Sequence, residues 1–262
     1  MNELNRTLDI LVDRVLISDG CRVRLTGEAG LGLYPRLVTV SMLNVSESGY
    51  HAIRMNGRIA VRCGDSELFS GEIQDVNRET VKGGVWTTIG FALGVELYRK
   101  QIGISLEAGL TVSETVQAIL EQSRIGIRLL SWRGDDPVFS RSQAYCGSTA
   151  EIVEQVMAAA GAQAVLVDAG IVVVPKTTGD AGNAETAKTV DIRMTDADLV
   201  NEPYFTAEHV ILKTKMVGWT IGHWMQLDWQ GKTVLGMIEK CAIEADTGKG
   251  IWQCELQVWV RQ

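Results

Sequence analysis

The sequence predicts a mostly β, α+β protein in which two small, tube-like β-barrel or β-sandwich domains flank a small α+β module. Short runs of alternating apolar and polar residues near both ends of the chain indicate half-buried strands. Two capping patterns in the middle indicate short helices. We therefore place a first β domain at 1–103, the α+β module at 104–175, a linker or exposed loop at 176–190, and a second β domain at 191–262.

The first β domain is predicted from short strand patterns separated by glycine-containing turns, a spacing typical of a small barrel or sandwich. The strands are expected at 21–25, 37–42, 59–63, 68–76 and 85–93. The glycine-rich segment 27–33 lacks the Gly-Lys-Ser/Thr of a phosphate loop, so we expect a flexible hairpin tip there.

Two helices are predicted in the α+β module. Thr111 is followed by Glu114, and Ser148 by Glu151, which is the capping-box spacing. Apolar residues then repeat with helical spacing, and Gly161 ends the second helix. The expected buried positions are Val112, Val116, Ile119 and Leu120 in the first helix and Ile152, Val153, Val156, Met157 and Ala160 in the second. A β-hairpin is expected over 163–175.

The second β domain is predicted to close with a long hairpin, 234–246 and 251–260. In its last strand one face is expected to carry Trp252, Cys254, Leu256, Val258 and Val260, and the other Gln253, Glu255, Gln257 and Trp259, which indicates one buried and one polar face. The segment before this domain is rich in Gly, Ala and Thr, and its composition is typical of a linker.

The two β domains share a rhythm that suggests duplication. Each has an acid-bearing strand, a glycine turn and a strand with a tryptophan, at 71–88 and 237–254. Chance similarity between two hairpins is the alternative explanation.

Composition and charge limit the function classes. The net charge is −7, residues 1–103 are balanced, and the rest is acidic, so no cluster of Lys and Arg for tracking phosphates is present. The five cysteines have no zinc-knuckle or paired-disulfide spacing. No signal-peptide pattern and no apolar run of membrane-spanning length is found, so we expect synthesis in the cytoplasm and no membrane insertion.

The residues capable of chemistry do not form a recognisable site. His51, His209 and His223 are isolated in sequence, which favours structural or surface roles over a metal site. The acidic pairs 135–136 and 196–198 have the context of turns, and the latter lacks the glycine and glutamate of a calcium loop. We therefore predict no catalytic residue, no cofactor-binding residue and no metal ligand, and hence no enzyme.

The layout resembles a known family. The order β domain, α+β module, β domain, the helix openings at 109–116 and 147–153, the hairpin 163–175 and the terminal strand are similar to baseplate hub proteins of contractile-tailed bacteriophages. That group includes the Mu-type and T4-type hubs and the late-control D proteins, and the hub part of type VI secretion spike proteins is similar.

The resemblance implies a structural protein of the virion tail baseplate, assembled in the host cytoplasm. It implies a homotrimer whose two β domains alternate around a ring, joining a sixfold tail tube to a threefold spike. Its partners would be the tail-tube protein, a separate spike protein and other baseplate proteins, and DNA would pass through the lumen without specific binding. Two alternatives remain: a sixfold tail-tube or distal-tail ring protein, and a tail-associated cell-wall hydrolase.

Overall fold

The mostly β, α+β class is confirmed. A computed structural model describes residues 7–64, 66–167, 170–175, 190–215 and 221–260. The strands are β1 (Asp9–Val12), β2 (Val15–Leu16), β3 (Arg22–Gly30), β4 (Arg36–Leu43), β5 (Arg58–Cys63), β6 (Ser66–Val81), β7 (Gly84–Leu93), β8 (Gln101–Leu106), β9 (Arg128–Trp132), β10 (Gln143–Ser148), β11 (Ala162–Val167), β12 (Gly170–Pro175), β13 (Ile192–Thr195), β14 (Tyr204–Phe205), β15 (His209–Lys215), β16 (Trp224–Trp229), β17 (Lys232–Asp246) and β18 (Ile251–Val260).

Four α-helices lie in the described residues: α1 (Glu47–Ala52), α2 (Val95–Arg99), α3 (Val112–Ser123) and α4 (Thr149–Ala159). Both predicted capping boxes are present. The Thr111 N–H donates to the Glu114 carboxylate at 2.8 Å, and the Ser148 N–H donates to Glu151 at 2.9 Å. These bonds satisfy backbone groups that a helix start leaves unpaired, so the local sequence determines where α3 and α4 begin.

One 13-stranded sheet runs through both β-rich parts of the chain, in the order β14-β15-β18-β17-β3-β4-β7-β6-β5-β1-β2, with β16 paired to β17 and β13 to β16. The antiparallel pairing of β3 with β17 joins the two parts, and we call it the seam. The sheet has two ends and does not close into a barrel within the described residues. The α+β module adds the sheets β10-β8 and β11-β12-β9, with α3 and α4 packed against each other.

The two β parts repeat the same four-strand unit. In chain order, the first, fourth, third and second strands lie side by side as β4-β7-β6-β5 and as β15-β18-β17-β16. All neighbours within each unit are antiparallel. The shared order supports the predicted duplication.

Each unit also has a one-residue bulge at the same place in its long hairpin. In β6 the pairing steps from Ile73–Phe91 to Asp75–Gly90, which leaves Gln74 as the extra residue. Such an insertion bends a strand and changes which neighbour lies beside it.

The hairpin β17-β18 has the matching bulge. There the pairing steps from Ile238–Val258 to Lys240–Gln257, and Glu239 is the extra residue. Three residues before each bulge lies a glycine, Gly71 or Gly236. A Cβ at either glycine would collide with a backbone oxygen of the paired strand, so both positions require glycine.

The buried faces of the sheet and of the module form one core. The largest fully buried side chains include Phe69, Phe91, Leu25, Ile119 and Ile152. The predicted apolar faces of α3 and α4 are buried, except that Ala160 caps the end of α4 and is only half-buried. Gly161 follows with φ 62°, as expected for a glycine that ends a helix.

Several local predictions need correction. Segment 27–33 is not a flexible tip: it forms the end of β3 up to Gly30 and then contributes the buried Leu33. Helices α1 and α2 and the parallel pairing of β9 with β12 were not predicted. Residues 176–189 of the predicted linker lie outside the described residues.

Candidate assembly surface

The most extensive candidate surface is the solvent-facing side of the long sheet, which we call the open face. Along each strand of the two repeated units, buried residues alternate with exposed or half-buried ones, and the strand registers bring the latter side by side. Its members are Asn77, Glu79, Trp86, Thr88, Thr39, Ser41, Arg24, Thr26, Glu28, Lys240, Ala242, Glu244, Gln253, Glu255, Gln257 and Lys213.

The open face carries both signs of charge, and several of its charged groups are paired with neighbours on the same face. Lys240 Nζ lies 2.6 Å from Glu28 Oε1 across the seam. Gln253 donates to Glu244 at 2.6 Å across the β17-β18 hairpin. Because acids and bases are interspersed, the face has no strip of unopposed positive charge on which phosphates could bind.

Asp246 anchors the seam at the tip of the long hairpin. Its carboxylate accepts hydrogen bonds from Arg22 Nε at 2.9 Å and Nη2 at 2.7 Å, and from Arg24 Nε at 3.2 Å. The N–H groups of Gly248 and Lys249 also donate to it. With only 7% of its side chain exposed, the Asp246 carboxylate is held ionised by Arg22 and these other donors, and its pKa lies well below its usual range.

An aromatic contact extends this anchor along the first unit. The Arg24 guanidinium carbon lies 4.4 Å from the centre of the Trp86 ring, and that of Arg22 lies 6.0 Å away. A cation over an aromatic face is attracted by the ring quadrupole. Trp86, Arg24 and Asp246 therefore link β7, β3 and β17 on one side of the sheet.

A second ion pair connects the α+β module to the second β part. Arg133 Nη1 lies 2.6 Å from Asp191 Oδ2, which also accepts the Trp224 N–H at 2.9 Å. Partial burial raises the pKa of Asp191, but the bonds from Arg133 and Trp224 outweigh it and lower that pKa overall. The neighbouring His223 is half-buried, and burial lowers its pKa, so it favours the neutral form.

The three histidines occupy different environments. His51 is exposed on α1 and lies 3.9 Å from Glu47. His209 Nε2 lies 2.9 Å from the carboxylate of Glu239, the bulge residue of β17. The structural roles expected from the sequence suit both arrangements.

The acidic turns have capping roles. Asp136 accepts hydrogen bonds from the N–H and the hydroxyl of Ser113 at the start of α3. Asp198 accepts from the N–H and hydroxyl of Thr195, at the start of a 3-10 turn over 196–198. Both carboxylates thus accept hydrogen bonds from the start of a helix or of a 3-10 turn.

The clefts and the possible metal ligands bear on the prediction that the chain has no active site. A cleft between α3 and β9 is lined by Glu121 as its one carboxylate, together with Arg124 and Arg128. No group of three or more His, Cys, Asp or Glu side chains suited to a metal ion occurs in the described part of the chain. Among the described residues, no helix combines the length and the apolar character needed to cross a membrane.

Comparison with solved structures places this architecture among known ones. A tail protein from Neisseria meningitidis MC58 matches with a TM-score of 0.64 at 10% identity, over 96% of this chain and 95% of that one. The 43 kDa tail protein of prophage MuSo2 from Shewanella oneidensis matches with a TM-score of 0.64 at 10% identity, over 97% of each chain. The chain shares its fold with phage tail proteins.

A type VI secretion component from E. coli, described as similar to the bacteriophage T4 tail proteins gp27 and gp5, has the same fold. Its TM-score is 0.61 at 11% identity, over 100% of this chain and 76% of that one. No protein-family model and no curated protein matches the sequence. At this level of identity the likeness establishes the fold and leaves function to be argued from the surfaces.

The ion pair between Arg22 and Asp246 had no signal in the sequence. Arg22 and Asp246 are separated by 224 positions, and neither lies in a motif. The bulge residues Gln74 and Glu239 were present in the two similar segments, and the glycine three places before each could have aligned them.

Proposed function

We propose that this chain is a structural protein of a phage-type tail, a homotrimeric baseplate hub whose three copies present six similar β units around a central channel. On this proposal the β domains are 1–103 and 191–262, the module is 104–175, and 176–190 connects them. The hub would join a sixfold tail tube to a threefold spike.

The observation that carries the proposal is the repeat of one four-strand unit within one sheet. Two units with the same strand order and the same bulge give a chain two similar docking surfaces. Three such chains in a closed ring supply six, which matches a sixfold partner on one side while the ring itself remains threefold. The shared fold with tail proteins and with a type VI secretion component supports the same assignment.

The open face suits the wall of a channel for DNA. Its charges are of both signs, and pairs such as Lys240 with Glu28 are satisfied within the wall. DNA binds non-specifically through phosphate contacts with Lys and Arg, and this face offers few that are unopposed. We infer that DNA passes along it without specific binding.

The proposal also assigns the protein a location and partners. The protein would belong to the tail baseplate of a virion, assembled in the host cytoplasm. There it would contact the tube protein, a separate spike protein and other baseplate proteins. It would have no catalytic role, no cofactor and no membrane insertion.

Native mass measurement of the purified chain, followed by negative-stain imaging, tests the proposal. We expect a particle of three chains whose end-on views show a ring with threefold symmetry and six similar lobes. A particle that stays monomeric at every concentration, or a ring of six chains, would overturn the hub. The ring of six would instead favour a tail-tube or distal-tail ring protein.

A further inference from the structure

One strand in each β part lacks a neighbour that its counterpart in the other part has. After its bulge, β17 turns away from β16 and pairs over 240–246 with β3, forming the seam. After its own bulge, β6 turns away from β5, but within the described residues no strand lies beside 75–81 on that side. Most of these residues are exposed, so β6 has an open edge where its counterpart β17 has a partner.

The other unmatched element is β14. In the first part of the chain, β3 lies beside β4 and pairs on its far side with β17. In the second part, β14 lies beside β15 in the same way, but it forms the end of the sheet. It exposes 65% of Tyr204 and 44% of Phe205. An edge of this kind offers unpaired N–H and C=O groups to another strand.

The repeat also fixes which residues of these edges are counterparts. In the seam, Gly27 pairs with Ile243 and, on its other side, with Val38. Phe205 pairs with Val210. Val38 and Val210 are equivalent positions. Each pairs with the residue of its long hairpin that lies opposite the residue just before the bulge residue. Phe205 is therefore the counterpart of Gly27.

On the β6 side, the counterpart of Ile243 follows from the same reference point. Ile243 is the fourth residue after the bulge residue Glu239, and Arg78 is the fourth after Gln74. If the seam were repeated between the open edges, Phe205 would lie opposite Arg78.

We propose that β14 of one copy pairs antiparallel with residues 75–81 of β6 in the next copy, with Phe205 opposite Arg78 and Tyr204 opposite Glu79. This assignment rests on the proposed ring and names the surfaces that close it. Every unit then has the same neighbours as every other, and both open edges are covered.

The side chains at these positions are compatible with the pairing. Arg78 stacks on Tyr50, with its guanidinium carbon 4.4 Å from the ring centre, and its Nη2 lies 2.9 Å from Glu47 Oε1, so the incoming Phe205 ring would meet a guanidinium that both groups hold in place. Pro203, immediately before β14, has no N–H to donate and limits the length of strand that can pair. A short edge next to a proline resists indiscriminate pairing with other edges.

Disulfide cross-linking tests the register. Directly opposed residues of antiparallel strands have Cα atoms about 4.5–5.5 Å apart, a spacing that a disulfide can bridge. The variant combines Glu79→Cys with Tyr204→Cys in a Cys146→Ser background, which removes the exposed native thiol. On mild oxidation we expect covalent links between copies that build up to three chains.

The matched control moves one cysteine out of register, combining Glu79→Cys with Glu208→Cys. Both 204 and 208 are exposed, so accessibility does not separate them. Because pairing raises the local concentration of the opposed thiols, the in-register variant should cross-link about tenfold more than this control. Equal cross-linking in the two variants would refute the pairing of β14 with β6.

A charge cycle gives a second, non-covalent test. Tyr204→Asp places two carboxylates opposite each other at Glu79 and should weaken self-association, and adding Glu79→Lys should restore it. Both sites are exposed, and circular dichroism would verify that the variants are folded.

Failure of this inference can be distinguished from failure of the proposed hub. A three-chain particle that cross-links no better in register than out of register keeps the hub and rejects the pairing. A six-chain ring that cross-links in register keeps the pairing and rejects the hub. A chain that never self-associates rejects both.

Discussion

Arg22 and Asp246 are joined by two hydrogen bonds, 2.9 Å and 2.7 Å long, across the only pairing that links the two β parts of the sheet within the described residues. The strands that carry them are far apart in sequence, and the ion pair lies at the tip of the long hairpin. This arrangement makes the seam accessible to direct measurement.

Replacing Asp246 with alanine should destabilise the protein by about 2 kcal/mol, because Arg22 and Arg24 lose a mostly buried, charged acceptor. Urea unfolding measures the change. Glu28→Ala is the control: its ion pair with Lys240 is exposed, so the loss should stay below about 0.5 kcal/mol. Equal losses in both variants would show that burial of Asp246 has no special effect on stability.

The free energy of unfolding should also depend on pH, because the Asp246 carboxylate at the seam titrates. The pKa of Asp246 is lower in the folded chain than in the unfolded chain, where it is about 3.9. Its contribution is therefore complete above that value and is lost as the pH falls towards the folded pKa. Between about pH 5 and pH 2.5, the wild type should lose more free energy of unfolding than Asp246→Asn. Urea unfolding at both pH values measures this loss, and an equal loss in the two proteins would contradict the prediction.

Replacing the glycine three residues before each bulge residue should destabilise the protein. Gly71→Ala and Gly236→Ala each place a Cβ against a carbonyl oxygen of the paired strand, and forcing those strands apart should cost about 1–3 kcal/mol. Thermal unfolding would report this as a lower midpoint. Gly103→Ala, in β8, meets nothing within 4 Å and should change little. A tolerated alanine at both 71 and 236 would show that the two hairpins open there without cost.

The capping boxes should contribute measurably to the module. Ser148→Ala removes the hydroxyl that accepts the Glu151 N–H and should cost about 1 kcal/mol. Ser105→Ala, on an exposed position of β8, is the matched control. Chemical denaturation followed by far-ultraviolet circular dichroism would compare them, and indistinguishable midpoints would argue against a stabilising cap.

Local features of the fold were predictable because their causes are local. The boxes at Thr111 and Ser148 set helix starts through residues three positions apart. The alternation in β18 placed Cys254, Leu256 and Val258 on the buried face, since only one face of that strand meets the core, whereas Trp252 and Val260 at the ends of that face are half-buried. The two β-rich ends and the central module followed from such patterns.

Long-range pairing was not predictable in the same way. Nothing near Arg22 indicates that β3 pairs with β17, since the alternation of a strand shows which side is buried and not which strand lies beside it. The parallel pairing of β9 with β12 was missed for the same reason. The alternation therefore predicts the strands on either side of the module but not the single sheet that joins them.

Tryptophan is a poor marker of the duplication. Aligning the hairpins by tryptophan equates Trp86 with Trp252. In the observed registers Trp86 pairs with Glu79 on the open face, whereas Trp252 pairs with the buried Ala245. A tryptophan can lie on either side of a sheet, but glycine is required where a Cβ would collide with a carbonyl oxygen of the paired strand. Gly71 and Gly236 are therefore the better markers.

The extra residue in each long strand has a consequence for how such a sequence can change over time. Deleting Glu239 would leave Ile238 and Lys240 as consecutive residues opposite Val258 and Gln257, so the later side chains of β17 would keep their sides, but the strand would lose the bend at which it leaves β16 and joins β3. Point substitutions on the open face leave that bend untouched. Sequence drift at constant strand length is thus the tolerated route, and single-residue insertions or deletions in these two hairpins should be rare among proteins of this fold.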